Sequence, residues 1–262
     1  MPETILYEKK DHLAILTFNR PDAANAMNGQ MQKELAEALV DFRDDPNSWV
    51  MIITGAGERH FSSGLDLKEF TSRLAQGLSP VDPEIMKLPN LMFGTVDIWK
   101  PIIAAINGSC MGGGLEYALC CDIRIAADHS MLGLTEAQRG IIPGGGGMIR
   151  LPRVVAMPIA MEMMLTAKRL TAAEAKEIGL VNQVVPAAEL MDAAYKMAEK
   201  ILDCAPLAIQ AIKEVVTKTI EMPLKEGLEK QMTIGPNVMG SQDAAEGPRA
   251  FAEKRKPQWS GK

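Results

Sequence analysis

The chain has 262 residues, 47% of them hydrophobic and 23% charged, and carries a net charge of −5. That is an ordinary globular composition, long enough for one large domain or a core with a smaller appendage. The acidic balance and the lack of a Lys/Arg stripe disfavour a nucleic-acid partner, and apolar runs such as residues 102–106 are far too short to span a bilayer.

Residues 1–4 show neither the basic nor the apolar part of a secretory signal, so a cytoplasmic location is expected. Residues 5–8 and 13–18 flank the polar segment 9–12, which predicts a hairpin. From 28 to 43, Met31, Leu35, Leu39 and Phe42 recur at helical spacing. Buried strands are predicted at 49–54, 101–106 and 123–127, the first two running into Gly55-Ala56-Gly57 and Asn107-Gly108. Strands followed by glycine loops and then helices argue for an α/β core. Residues 70–99 are looser, because Gly77, Pro80, Pro83 and Pro89 interrupt any long helix, and a stretch of that kind is suited to covering a pocket. After Pro152 the pattern turns almost wholly helical. Thr171 and Glu174 have the spacing of a capping box, and Gly179 ends that short helix. Further helices are predicted at 187–204, 207–221 and 242–254.

The four cysteines (Cys110, Cys120, Cys121, Cys204) form no C-x-x-C pair, and the three histidines are well separated. No metal site is expected from them; they read as small buried thiols in a reducing compartment.

Three segments carry chemistry. Residues 59–67 follow a strand and precede a helix, with Ser62-Ser63-Gly64-Leu65-Asp66 at their centre. Residues 107–116 place Gly112, Gly113 and Gly114 at the opening of a helix that carries Glu116, where free N–H groups and the positive end of the helix dipole collect. Glu136 is followed by Pro143 and four glycines. The two glutamates stand 20 residues apart. Paired carboxylates beside exposed backbone N–H groups suit reactions that build negative charge on a carbonyl oxygen. The glycine runs match neither the P-loop nor the dinucleotide fingerprint, and no G-x-S-x-G elbow surrounds Ser62 or Ser63.

In this order and spacing the three segments closely resemble the crotonase (enoyl-CoA hydratase/isomerase) superfamily, from the first hairpin to residues 251–257. The resemblance implies an α/β fold, a spiral of ββα units over residues 1–200 with a C-terminal helical trimerisation region over 201–262. It also implies a homotrimer or a dimer of trimers. The substrate implied is an acyl-CoA thioester, with no cofactor, no metal and no membrane partner. By the same resemblance the backbone N–H groups of Ser63 and Gly113 form the oxyanion hole. Glu116 then deprotonates water for attack at C3, Glu136 delivers the proton to C2, and the Gly144 N–H helps position the water or Glu136. CoA recognition maps to Ala24, Ala26, Ser63, Gly64, Leu65, Asp66 and Lys254. Met86, Leu88, Met92, Phe93 and Trp99 offer apolar surface for the acyl group.

With both acids present, hydration of an enoyl-CoA is the leading expectation. The alternatives are double-bond isomerisation, or dehydration of a cyclic or carnitine-like acyl-CoA. Leu65 stands where many short-chain hydratases resemble one another in having alanine. Gly144 stands where dienoyl-CoA isomerases and carnitinyl-CoA dehydratases tend to have an acid. The segment 149–153 nonetheless resembles the latter. An RNA-binding role, known in one branch of the family, is disfavoured by the acidic first helix.

Overall fold

The computed structural model describes residues 4–262. Residues 1–3, on which the reading of the amino-terminal segment partly rests, lie outside the described residues. The predicted hairpin is present as β1 (Ile5–Lys10) and β2 (Leu13–Phe18), antiparallel, with Asp11 at φ 53° in the turn. Joined to β2 in parallel are β3 (Val50–Gly55), β5 (Ile102–Ile106), β7 (Ile123–Ala127) and β10 (Gln183–Val185), completing a six-stranded sheet. Strands buried on both faces read as continuous apolar runs. That is why β3, β5 and β7 were legible in the sequence.

A second sheet is built from β4 (His60–Ser62), β6 (Ser109–Met111), β8 (Met131–Gly133) and β9 (Leu170–Thr171), in that order. Strands of two or three residues are too short to show alternation, so the sequence reading did not include them. The two sheets are threaded together. Three times in succession the chain passes from a strand of the large sheet to a strand of the small one and then into a helix. β3 and β4 lead to α2 (Leu67–Ala75), β5 and β6 to α3 (Gly113–Ala118), and β7 and β8 to a 3-10 turn over Glu136–Arg139. This is the expected spiral of ββα units. Because β4, β6 and β8 are parallel neighbours, the exits of the three turns lie side by side.

The core has two layers. Met51 and Ile53 face one side of β3 and Val50 and Ile52 the other, and the alternation repeats in β5 and β7. Between the sheets, Phe18 packs edge-on against both Phe61 and Tyr117. There α1 (Gly29–Asp44) contributes Met31, Leu35, Leu39 and Phe42. Asn28 caps this helix through the Met31 N–H at 3.0 Å. The opposite face is covered by Leu190, Ala194 and Ala198 of α7 (Leu190–Leu202).

After the spiral come α4 (Gly147–Val154), α5 (Met157–Thr166) and α6 (Ala172–Glu177), the last opened by the predicted capping box. Glu174 N–H donates to Thr171 Oγ1 at 3.2 Å, and Thr171 N–H donates to Glu174 Oε2 at 2.7 Å. Beyond α7 lie α8 (Pro206–Thr219), α9 (Leu224–Met239) and α10 (Gln242–Ala252). The sequence reading did not include α9. Only Ile234 of that helix is buried within the chain, so it lacks the single buried stripe by which an amphipathic helix is recognised. The expectation of buried thiols holds for Cys110 and Cys121; Cys120 is half-buried and Cys204 exposed. No helix among the described residues is long and apolar enough to cross a membrane.

Candidate active site

The exits of β4 and β6 approach so closely that only glycine fits. Gly64 has φ +87°, and a Cβ there would lie 2.5 Å from the Gly113 nitrogen; a Cβ on Gly114 would collide with the Ser62 carbonyl oxygen. Residues 62–65 and 112–114 therefore run in direct backbone contact, leaving two N–H groups close together. Gly113 opens α3 and its N–H has no acceptor among the described residues, as expected for the first turn of a helix. The second unspent N–H belongs to Leu65.

This corrects the assignment of Ser63. The Ser63 N–H donates to the Ala24 carbonyl at 3.0 Å, and the Gly64 N–H to Ser62 Oγ at 3.1 Å. A backbone donor already satisfied by a backbone acceptor is not free to bind a substrate oxygen. Leu65 escapes because its bridge with Met27 uses the groups on either side of it: the Gly64 carbonyl accepts the Met27 N–H, and the Asp66 N–H donates to the Met27 carbonyl.

The residues mapped to CoA fall into two places. Ala24, Ala26, Ser63, Gly64, Leu65 and Asp66 are joined in one lobe. There Asn25 is fully buried and hydrogen-bonded to Ala56 and His60 carbonyls, and Arg20 bridges the Ala26 carbonyl and the Asp66 carboxylate. Asp66 also caps α2. Lys254 is exposed beyond α10, which packs on α9, and forms no hydrogen bond or ion pair with them among the described residues.

Glu116 sits in the first turn of α3 with only 4% of its surface exposed. Its Oε1 accepts the Gly147 N–H at 2.8 Å. A Cβ on Gly147 would stand 3.0 Å from Oε1, and one on Gly145 would stand 2.8 Å from Oε2, so the glycine run lets backbone close over this carboxylate. Gly144 is exposed; the N–H that holds a catalytic candidate is that of Gly147, not Gly144. Glu136 opens its 3-10 turn and is 8% exposed, with both carboxylate oxygens buried and without a hydrogen-bond partner. Its Oε1 lies 3.2 Å from where a Gly112 Cβ would be, which puts it against the turn that sets the Gly113 N–H.

Burial dominates the electrostatics. It raises the Glu116 pKa from 4.5 to about 7; the Gly147 and Gly145 N–H groups and the Arg150 charge oppose the rise, and the Glu136 charge adds to it. Burial also raises Glu136. Two carboxyls raised together favour a pair that keeps one proton near neutrality.

The sign of the stability effect follows. Glu116 has a folded pKa above its unfolded value, so its contribution is fully present below about 4.5 and is lost as the pH rises through about 7. Glu116→Gln, which still accepts the Gly147 N–H, is therefore expected to gain stability relative to the parent between pH 5 and pH 8. The gain is up to about 3 kcal/mol, read by denaturant unfolding at each pH. A constant difference across that range would refute the burial cost.

Of the apolar residues predicted to line the acyl wall, Met92 is brought beside Glu116. Its Sδ would stand 2.9 Å from a Cβ on Gly145, the same point that lies 2.8 Å from Glu116 Oε2. Met86 is exposed, and Trp99 lies under the Lys218 ammonium. A cavity of about 30 Å³ beside Leu65 is lined in part by Met27, Gln32, Phe70 and Ile85. The sequence reading gave no role to the Gly147 N–H or to Arg150, and it put Leu65 only among the CoA contacts. The glycine run was a signal for the first; neither of the others has a local one.

Against known proteins, the family model described as "Enoyl-CoA hydratase/isomerase" matches residues 8–262. Carnitinyl-CoA dehydratases of Shigella flexneri and Citrobacter koseri are each 42% identical, with all of both chains covered. Among solved structures, an enoyl-CoA hydratase from Mycobacterium tuberculosis superposes with a TM-score of 0.89 at 38% identity, over 99% of this chain and 100% of that one. One from Mycobacterium marinum superposes with a TM-score of 0.91 at 38% identity, with the same coverage.

Proposed function

The chain belongs to the enoyl-CoA hydratase/isomerase family, and from that premise we propose that it is a cofactor-free hydro-lyase that adds water across the C2=C3 bond of an enoyl-CoA, or removes it from the 3-hydroxy ester. One observation carries the reading: two buried carboxyls, one gripped by a backbone N–H and one unpartnered, beside two unspent N–H groups.

The Leu65 and Gly113 N–H groups receive the thioester oxygen as it gains enolate charge, each donor worth on the order of 3 kcal/mol in the transition state. Ionised Glu116 takes a proton from water while the oxygen bonds to C3. The C2=C3 electrons move into the enolate, and protonated Glu136 delivers its proton to C2. The pair ends with its single proton on Glu116, and passing it back to Glu136 resets the site. Dehydration runs the same steps in reverse.

The carnitinyl-CoA dehydratases among the relatives favour a second reading of the acyl group, as carnitine-like. The test is a panel of conjugated enoyl-CoA esters, including one bearing a trimethylammonium group, followed by ultraviolet absorbance and product mass. Loss of the enone band with a gain of one water supports hydration, and the fastest ester ranks the two acyl classes. A mass-neutral product would replace hydration with isomerisation.

Assembly as a cytoplasmic homotrimer or dimer of trimers is part of the same proposal, with residues 201–262 as the assembly region. It is supported by the exposed Ile212, Ile220, Leu224 and Met232 of the C-terminal helices, more apolar surface than a monomer usually leaves in water. Light scattering that gives one chain's mass would overturn it.

A further inference from the structure

Arg150, on α4, forms no ion pair among the described residues. Its half-buried guanidinium is spent instead on backbone. Nη1 donates to the Met92 carbonyl at 2.9 Å and the Gly145 carbonyl at 3.1 Å, and Nη2 donates to the Leu91 carbonyl at 2.8 Å. Those carbonyls belong to two different walls of the Glu116 chamber. Residues 91 and 92 form the wall that presents the Met92 sulfur. Gly145 belongs to the run whose Gly147 N–H holds the carboxylate.

The first wall is braced on its other side too. Asn90 accepts the Met92 N–H at 2.8 Å and donates to Gln32 of α1 at 3.0 Å, and its own N–H donates to Thr95 Oγ1 at 2.9 Å. Gly146 fits between Arg150 and the Met92 carbonyl only because it has no side chain, at φ +97°. Removing the guanidinium would leave the Met92 and Gly145 carbonyls without this donor and the Leu91 carbonyl with only the Gly94 N–H, and would cut the bonds that tie the two loops together.

We propose that Arg150 is the positioning residue for Glu116: by clamping residues 91–92 to Gly145 it sets where the Gly147 N–H holds the carboxylate. The proposal rests on Glu116 being the base of the hydration described above. The charge of Arg150 acts in the same sense, since it opposes the burial that raises Glu116. The other groups that face this carboxylate are Glu136, whose charge raises it, the Gly145 and Gly147 N–H groups, which lower it, and the neutral Cys120 thiol.

The test compares the parent with Arg150→Met, which keeps reach but loses charge and donors, and Arg150→Lys, which keeps charge but loses the fork. With the enoyl ester that the parent hydrates, Arg150→Met is expected to lower kcat by about 100-fold, the cost of misplacing a catalytic group by about 1 Å, with a smaller change in KM. The acid limb of its kcat–pH profile should move to higher pH. Arg150→Lys should keep the limb in place and recover part of kcat.

The pH dependence of unfolding gives a readout that needs no substrate. There Arg150→Met should move the Glu116 titration upward, and the difference should vanish when both proteins also carry Glu116→Gln. An unmoved limb and titration in folded Arg150→Met overturns the proposal, as does a shift that survives Glu116→Gln. If Arg150→Met does not fold, Arg150→Lys decides: a partial loss of kcat with an unmoved limb supports the clamp, and unchanged kcat overturns it. If the parent hydrates no ester, the reading of the reaction fails, while the unfolding titration still tests the link from Arg150 to Glu116.

Discussion

Glu116→Gln and Glu136→Gln are each expected to lower the turnover of an enoyl-CoA by about 10²–10⁴-fold while changing ester affinity by much less. The amide keeps the size of the side chain and, at 116, an oxygen for the Gly147 N–H at 2.8 Å. What it removes is the ability to take or give a proton. The two losses should differ in kind. Glu116→Gln retains the acid that serves C2, so exchange of the C2 proton of a saturated acyl-CoA with solvent should persist while hydration stops. Glu136→Gln should lose both, because Glu136 is the carboxyl set against Gly112 to serve C2. Equal loss of exchange in the two variants would mean that the roles are not divided as described. Unchanged turnover in both would remove the carboxyl pair from the reaction.

Gly113→Pro is expected to fold and to lose about 10²–10³-fold in kcat, because it deletes one of the two unspent N–H groups. Proline is tolerated at the first position of a helix, where the N–H has no helical acceptor. Gly112 before it, at φ 55° and ψ −128°, is outside the helical region that a following proline disfavours. The steric cost is separable. A Cβ at 113 meets the Met27 methyl at 3.1 Å and the Gly64 Cα at 3.3 Å, and Gly113→Ala adds that same atom while keeping the N–H. Kinetics and thermal unfolding of the three proteins together check the claim. A kcat for the proline variant no lower than for the alanine variant would exclude the Gly113 N–H from the oxyanion site.

Both experiments bear on residues that the sequence put forward, but the structure changed their company. Glu116, Glu136 and Gly113 were legible because each lies next to a glycine run that interrupts a hydrophobic pattern. The partner donor was not. Ser63, Gly64 and Leu65 are consecutive, and nothing in their order says which N–H is already spent. That is settled by Ala24, far away in the chain, whose carbonyl takes the Ser63 N–H. The same holds for Gly147 over Gly144: both belong to one run, and only the close approach of α3 distinguishes them.

The sequence by itself determined five of the six strands of the large sheet, all but β10, together with the first helix, the capping box at Thr171 and Glu174, and the order of the chemical segments. Each of these is a local periodicity or a contact within a few residues, which is the range over which side-chain pattern and backbone conformation constrain one another. Tertiary structure alone decided the short strands of the second sheet, α9, the free N–H of Leu65 and the clamp formed by Arg150. A three-residue strand exists only because parallel neighbours satisfy its backbone. An arginine spent on carbonyls of two other loops likewise has no signature in its own surroundings, because its partners are chosen by the way the spiral stacks one turn upon the next.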